Sequence, residues 1–192
     1  MIYLVRHGET DYNVEKISQG WRQIPINKKG VEQAETVAIT LEKRSYDYFY
    51  CSDLLRAQMT ADIINKKLNM PIVYDDRLRE RSSGILEDNK KHELPIELVD
   101  DFNSNPHKFL AESWEDVYNR VRSFINFIIA KKFDNALVIT HGGVIVTVLY
   151  CIQNSKYNED KFMMLLNSKN VENTEIVEID FEKKFCNDKY YM

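Results

Sequence analysis

Short apolar runs alternate with longer amphipathic segments along most of this chain. The short runs are rich in β-branched and aromatic residues, as is typical of buried strands. They predict five strands, at residues 2–5, 46–51, 71–74, 136–140 and 175–180. The amphipathic segments, whose apolar residues recur every three or four positions, predict four helices: 28–43, 53–68, one that opens at Ser113, and 143–153.

Polar residues at the starts of these helices can accept hydrogen bonds from the first backbone amides. We expect Asn27 and Ser52 to be the N-caps of the first two helices. Ser113-Trp114-Glu115-Asp116 resembles a capping box with Asp in place of Glu. Each of the three positions therefore marks a helix start.

The alternation of strands and helices predicts an α/β fold. Helices of this length between strands imply parallel crossovers, and hence a three-layer α/β/α sandwich with a mostly parallel central sheet. No Gly/Ser-rich or Pro-rich linker divides the 192 residues, so we expect one domain over 1–192. Residues 81–112 have only weak periodicity, and we expect them to form a cap over the crevice at the sheet.

Two predicted strands are followed directly by a histidine. His7 follows the first strand with Arg6, and His141 follows the fourth. The carboxyl ends of the strands form the ligand-binding crevice of open α/β sheets, so both histidines are expected at one site. Arg56 lies in the first turn of the second helix, where the backbone favours anions.

Composition and charge narrow the class of protein. A formal net charge of −4 without a basic stripe argues against nucleic-acid binding. Three cysteines without paired spacing do not indicate disulfides or a zinc site, and we expect His92 and His107 to be surface residues. The longest nearly uncharged run, 136–152, is too short to cross a membrane and is interrupted by His141-Gly142-Gly143, and the amino terminus lacks a signal pattern. We therefore expect a cytoplasmic protein.

Tyr46, Tyr48, Phe49 and Tyr50 form an aromatic-rich stretch that can be interpreted in two ways. It could be a platform for stacking bases, or an aromatic strand packed against helices. Because no basic stripe accompanies it, we favour the packed strand.

Several motifs occur in a fixed order along the chain. They are Arg6-His7-Gly8-Glu9-Thr10 with Asn13, Ser52-Asp53-Leu54-Leu55-Arg56-Ala57, Leu78-Arg79-Glu80 and His141-Gly142-Gly143. Together they resemble the motifs of the histidine phosphatase (phosphoglycerate mutase-like) superfamily, over residues 2 to about 153. The resemblance implies a phosphoglycerate mutase-like fold and chemistry on phosphate esters.

The resemblance also implies a role for each motif residue. His7 is the expected nucleophile, because a neutral imidazole can attack phosphorus and form a phosphohistidine. Arg6 and Arg56 are the expected phosphate clamps, and His141, when protonated, would add a third donor. Glu80 is the expected acid and base. The remaining residues expected to line the substrate pocket are Asn13, Gln19, Gly20 and Gly142.

This chemistry requires no metal and no cofactor, since arginines neutralise the phosphate. The expected partner is a small phosphorylated metabolite, acted on by a monomer or a homodimer. We expect hydrolysis of phosphate monoesters, possible substrates being α-ribazole 5'-phosphate or a broad range of esters. The alternatives are a phosphoglycerate mutase and a catalytically silent phosphoester-binding protein.

Departures from the family pattern favour a phosphatase over a mutase. The mutase pattern has Tyr where Ser83 stands, and a longer, arginine-bearing cap. Residues 81–112 carry four Lys/Arg against seven Asp/Glu, a net charge of −3, which disfavours polyanionic substrates. Other departures, Gln23 for Asp, Ile26 for Leu and Ala111 for Gly, are interpreted as structural.

Overall fold

The computed structural model describes residues 1–180 of the chain, so Cys186 lies outside the described residues. Its strands form one five-stranded sheet in the order β3-β2-β4-β1-β5. β1, β4, β2 and β3 run parallel, and β5 is antiparallel to β1. The strands are β1 Ile2–Arg6, β2 Tyr48–Cys51, β3 Ile72–Tyr74, β4 Ala136–Thr140 and β5 Ile176–Ile179. The mostly parallel sheet and its five strands are confirmed, with strand ends that differ from the prediction by at most two residues.

Helices cover the sheet and connect its strands. They are α1 Asp11–Glu15, α2 Lys28–Leu41, α3 Leu55–Leu68, α4 Ile96–Ser104, α5 Trp114–Ile129, α6 Gly142–Gln153 and α7 Glu159–Ser168. The four predicted helices are α2, α3, α5 and α6. The hydrophobic pattern did not predict α1, α4 or α7, which are the three shortest of these helices.

Two of the three expected helix caps are present. Asn27 Oδ1 accepts a hydrogen bond from the Gly30 amide at 2.9 Å, and Ser113 and Asp116 form a capping box. The prediction for Ser52 was wrong: α3 begins at Leu55, and its N-cap residue is Leu54. The Leu55 amide instead donates to Gln23 Oε1 at 2.8 Å. Gln23 therefore has a structural contact at the start of α3.

Alternate residues of each central strand enter two different cores. In β1, Tyr3 and Val5 pack on the side of α2 and α3, while Ile2 and Leu4 pack on the side of α5 and α6. This follows from the two-residue period of a strand. The helices thus lie on both faces of the sheet, which confirms the three-layer sandwich. Phe49 and Tyr50 of the aromatic stretch are buried in these cores.

Residues 81–112, called the cap segment below, contain α4 and short 3-10 helices. The 3-10 helices are Gly84–Leu86, Lys91–Glu93 and Pro106–Phe109. Phe102, Phe109 and Ala111 form a small separate core. The segment is tied to the loop after α1, because the Ser18 amide donates to Asn89 O and the Asp88 amide to Ser18 O, both at 2.9 Å.

The two remaining histidines lie at the surface, as the sequence predicted. Cys51 and Cys151 are free and buried, and the side chains of His92 and His107 are mostly exposed. Over residues 1–180 no group of three or more His, Cys, Asp or Glu side chains is placed to hold a metal ion. Within the same residues no helix has the length and apolar character that crossing a membrane requires.

Candidate active site

The two histidines predicted at strand ends lie side by side. β1 and β4 are parallel neighbours with Arg6 opposite Thr140, so the residues that follow them leave the sheet together. The ring centroids of His7 and His141 are 5.2 Å apart. Only 3% of His7 and none of His141 is exposed. The fold therefore brings two residues 134 positions apart into one buried site.

A hydrogen bond to the backbone fixes the protonation pattern of His7. Its Nδ1 lies 2.8 Å from the Gly8 carbonyl oxygen. Because a carbonyl oxygen only accepts, the ring hydrogen must be on Nδ1. In the neutral ring Nε2 then carries a free lone pair, as a nucleophile requires.

Arg56 is fully buried in the same site, with 1% of its surface exposed. Its Nη2 donates to Gly20 O at 2.8 Å and its Nη1 to Arg22 O at 3.1 Å. Arg6 Nη1 donates to Val171 O at 2.6 Å. Backbone carbonyls thus orient both guanidinium groups without neutralising their charge.

Three nitrogen atoms in this site have no hydrogen-bond partner. Over the described residues, four buried side-chain polar atoms are unpaired: Arg6 Nε, Arg56 Nε, His141 Nδ1 and Tyr46 Oη. Buried polar groups are normally paired, so such a concentration in one place needs an explanation. An anion with several oxygens, such as phosphate, offers acceptors that match these nitrogens, provided that His141 Nδ1 carries a hydrogen.

Ser52 places the hydrogen of His141 on Nδ1. The Ser52 hydroxyl lies 2.8 Å from His141 Nε2 and accepts from the Leu54 amide at 3.4 Å. Among the described residues the Ser52 hydroxyl hydrogen has no other acceptor, so it is directed to Nε2. His141 Nε2 is then an acceptor, and Nδ1 carries the hydrogen that points to no protein partner.

Burial, reinforced by the nearby arginines, keeps both histidines uncharged. Burial, together with the charges of Arg56 and Arg6, lowers the pKa of His7 well below its ordinary 6.5. Burial and Arg56 lower the pKa of His141 in the same way. Donation by His141 was predicted for its protonated form; in this structure the ring is neutral at pH 7, and Nδ1–H is the donor. Burial also lowers the pKa of Arg56 to about 10, so Arg56 remains charged.

Glu80 reaches the site from the loop that follows the 3-10 helix Asp76–Leu78. Its Oε2 accepts from the Gly143 amide at 3.2 Å and its Oε1 from the Arg81 amide at 2.9 Å. A Cβ on Gly143 would lie 2.5 Å from Glu80 Oε1, so the carboxylate approaches α6 only because residue 143 has no side chain. A Cβ on Gly142 would make ordinary contacts, the nearest at 3.6 Å from Arg6 Nε. The space available does not require glycine at 142.

The predicted pocket residues after His7 lie in α1 (Asn13) and in the loop that follows it (Gln19 and Gly20). Asn13 Oδ1 accepts from the Thr10 amide at 3.1 Å, and Gln19 Oε1 accepts from Thr10 Oγ1 at 3.1 Å. Gly20 has φ +44°, a conformation that favours glycine, and its carbonyl binds Arg56. These contacts give the three residues clear structural roles, and their contact with substrate stays a prediction.

The structure adds site residues that the sequence analysis missed. Ser52 was interpreted only as a helix cap. Asn173 Nδ2 donates to His7 O at 2.9 Å, and Thr60 Oγ1 accepts from the Gly8 amide at 3.0 Å. Val171 contributes a backbone carbonyl, which no sequence pattern reveals. For Asn173, its position just before a predicted strand was the one available signal.

Comparisons with known proteins agree with this geometry. The family model of the histidine phosphatase superfamily (branch 1) matches residues 2–187. A broad-specificity phosphatase of Saccharomyces cerevisiae is 27% identical over 191 residues, covering 95% of this chain and 80% of that protein. The α-ribazole phosphatase of Shigella flexneri has a similar fold (TM-score 0.77, 23% identity, 93% and 90% of the two chains). So does a phosphoglycerate mutase of Bacillus anthracis (TM-score 0.74, 26% identity, 91% and 85%). The chain belongs to the histidine phosphatase superfamily, branch 1.

Proposed function

We propose that this protein hydrolyses small phosphate monoesters through a phosphohistidine on His7. One observation carries the proposal: the unprotonated Nε2 of His7 shares a buried site with three nitrogens that lack acceptors. A phosphate monoester resists attack because of its own negative charge, so a catalyst must neutralise its oxygens and align a nucleophile. Arg6 and Arg56 supply the charge, and His7 supplies the lone pair.

In the first step the phosphoryl group moves to His7. Arg6 Nε, Arg56 Nε and His141 Nδ1–H donate to the phosphoryl oxygens, where negative charge is held. The Nε2 lone pair forms a bond to phosphorus while the bond to the ester oxygen breaks. Glu80, entering this step protonated, gives its proton to the departing oxygen, which leaves as an alcohol.

In the second step water releases the phosphoryl group. The Glu80 carboxylate removes a proton from water as its oxygen bonds to phosphorus, and the N–P bond breaks. Its electron pair returns to Nε2. Inorganic phosphate leaves, His7 is again neutral, and Glu80 is again protonated.

The cap segment is proposed to choose the substrate. It adjoins the loop that carries Gln19 and Gly20, and its net charge of −3 disfavours esters with further anionic groups. α-Ribazole 5'-phosphate is one candidate, in line with the shared fold of the Shigella enzyme. Broad specificity for small esters is the other, in line with the yeast relative.

A mutase is the second candidate function, because the Bacillus anthracis mutase shares the fold. A mutase must protect its phosphohistidine from water until the phosphoryl group is returned. Ser83 in place of the mutase Tyr and the acidic cap segment both favour the phosphatase.

The deciding experiment measures transfer of labelled phosphate to the protein and its release. The substrates are α-ribazole 5'-phosphate, phosphoglycerates and sugar phosphates. We expect transient, acid-labile labelling of the wild type with release of inorganic phosphate, and none in His7→Ala. Stable labelling that phosphoglycerate discharges would identify a mutase. Binding of phosphate or vanadate without any labelling would identify a silent binding protein.

A further inference from the structure

We propose that an ion pair between Arg120 of α5 and Glu112, the last residue of the cap segment, positions Glu80 for proton transfer. The inference rests on the proposed function, in which Glu80 is the acid and base. Nothing in the motif pattern gives either residue a part in the chemistry. The two residues are positioning residues, since they hold the backbone around Glu80 and do not touch its carboxylate.

Arg120 binds the backbone on both sides of Glu80. Its Nη1 donates to Arg77 O at 2.8 Å and to Arg79 O at 2.6 Å, and its Nη2 donates to Glu80 O at 3.1 Å. The planar, rigid guanidinium group can hold three carbonyls at once, which a single ammonium group does much less well. Arg120 thereby fixes the path of the chain that delivers Glu80.

Glu112 holds Arg120 and the chain beyond Glu80. Its two carboxylate oxygens accept from Arg120 Nε at 2.8 Å and from Arg120 Nη2 at 3.0 Å. Oε2 also accepts from the Ser82 amide at 2.9 Å, and the Glu112 amide donates to Ser82 O at 3.2 Å. The backbone is thus bound at residues 77, 79, 80 and 82.

These contacts matter because Glu80 lies outside the sheet and the helices. Residues 79–83 have no regular secondary structure, so no ladder of backbone hydrogen bonds fixes them. Arg120 and Glu112 have side chains that are only 16% exposed, where a doubly bonded ion pair is well shielded from water. A general acid must lie within hydrogen-bond reach of the departing oxygen, and a shift of about 1 Å can cost 100-fold in rate.

The test compares substrates whose leaving groups differ in their need for a proton. The departing alkoxide of an alkyl phosphate needs a general acid, whereas the nitrophenolate of para-nitrophenyl phosphate leaves without one. The quantity measured is kcat/KM, which covers the steps up to phosphohistidine formation and excludes its hydrolysis. We expect Arg120→Lys to lower kcat/KM for the alkyl ester by roughly 10- to 100-fold. For the aryl ester, kcat/KM should stay within about threefold of the wild-type value. Glu112→Gln should show the same selectivity.

Arg122 offers a matched control on the same helix. Its Nη1 donates to Cys151 O at 3.3 Å and to Asn154 O at 3.1 Å, at the far end of α6. Arg122→Lys therefore removes a comparable set of carbonyl contacts without touching the chain around Glu80. We expect it to leave the ratio between the two esters unchanged, even where it lowers thermal stability.

Glu80→Gln distinguishes a failure of the positioning role of Arg120 from a failure of the acid role of Glu80. If Glu80→Gln is selective for the alkyl ester and Arg120→Lys lowers both esters equally, Arg120 has only a structural role and the inference fails. The same conclusion follows if Arg122→Lys reproduces the selectivity of Arg120→Lys. If Glu80→Gln itself shows no selectivity, the acid role in the proposed function is wrong.

Discussion

The histidine site and the cap segment are held together by different physical means. The site is built from residues that directly follow buried strands or open a helix, and His7, His141 and Arg56 are almost fully buried. The cap segment has a core of three buried residues and exposes large apolar side chains. Leu110 is 77% exposed, Ile96 70% and Ile85 62%.

This difference suits the two regions to different tasks, one that needs rigidly held charges and one that needs a changeable surface. Charged donors without acceptors are tolerated only where rigid elements hold them, because each costs free energy in the unliganded protein. The cap segment carries little such cost, so its exposed positions are free to change, whereas Glu112 at its end is bound to Arg120. Under the proposed function, reaction chemistry is assigned to the first region and substrate choice to the second.

The largest expected effect comes from removing the buried charge. Arg56→Met deletes a cation that stays protonated, since its lowered pKa is still about 10. We expect kcat/KM to fall by about 100- to 1000-fold for every ester tested. The matched control is Arg22→Met, because Arg22 Nε pairs with Asp88 of the cap segment and its side chain is 51% exposed. The kcat/KM of Arg22→Met should stay within about threefold of the wild-type value. If both variants lose the same activity, the two regions do not differ in the way described here.

A second prediction concerns the pH dependence of stability. Burial lowers the pKa of His7 and of His141 below 6.5, so under acid the unfolded chain binds protons that the folded chain does not. The free energy of unfolding should therefore decrease as the pH is lowered from 6.5 towards the pKa values of the two histidines in the folded protein. The slope is about 1.4 kcal/mol per pH unit for each of the two histidines.

Urea denaturation over a series of pH values measures this slope. We expect His141→Gln to remove about half of the contribution of the two histidines below pH 6.5. His92 in the cap segment is the control, because its side chain is 60% exposed and its surroundings change little on unfolding. A slope unaffected by His141→Gln would contradict the neutral, buried state assigned to that ring.

The sequence predicted which strand-ending residues meet in the site, but it did not predict the hydrogen bonds that hold them. Strand-ending His7 and His141 follow from periodicity and from the geometry of α/β sheets, and the structure places them together. Ser52 was misinterpreted because a serine before a helix is normally its cap. Here its hydroxyl is hydrogen-bonded to His141 instead. The contact of Ser52 with His141 joins residues 89 positions apart, and no local pattern encodes it.

Contacts made by backbone atoms were also out of reach. Val171 and Gly20 hold the arginines through carbonyl oxygens, which every residue type carries. Gly142 was predicted as a pocket residue, and that stays a prediction; the steric need for glycine lies at Gly143, beside Glu80. Such a distinction depends on distances of a few ångströms between segments that are far apart in sequence.

Ser52→Ala tests whether the hydroxyl sets the tautomer of His141. Without it the ring can place its hydrogen on either nitrogen, so we expect kcat/KM to fall about tenfold. Nitrogen NMR of the histidine rings should show the hydrogen on Nδ1 in the wild type and a mixture in the variant. Ser83→Ala removes a comparable hydroxyl pair in the cap segment, where Ser18 Oγ donates to Ser83 Oγ at 2.9 Å, and should change neither result. An unchanged NMR pattern in Ser52→Ala would contradict the assignment.

The smallest effect should come from a strained residue of the cap segment. Leu110 has φ +57°, a left-handed conformation that costs a non-glycine residue about 1 kcal/mol, and its exposed side chain offsets little of that cost. We expect Leu110→Gly to raise the free energy of unfolding by about 0.5 kcal/mol in urea denaturation, with kcat/KM unchanged. Gly20→Ala is the converse change beside the histidine site: φ is +44°, and a Cβ would lie 2.0 Å from Glu87 Oε1. It should displace the carbonyl that holds Arg56 and lower both stability and kcat/KM. If Leu110→Gly destabilises instead, its side chain makes a contact that matters, and the cap segment is less permissive than its exposure indicates.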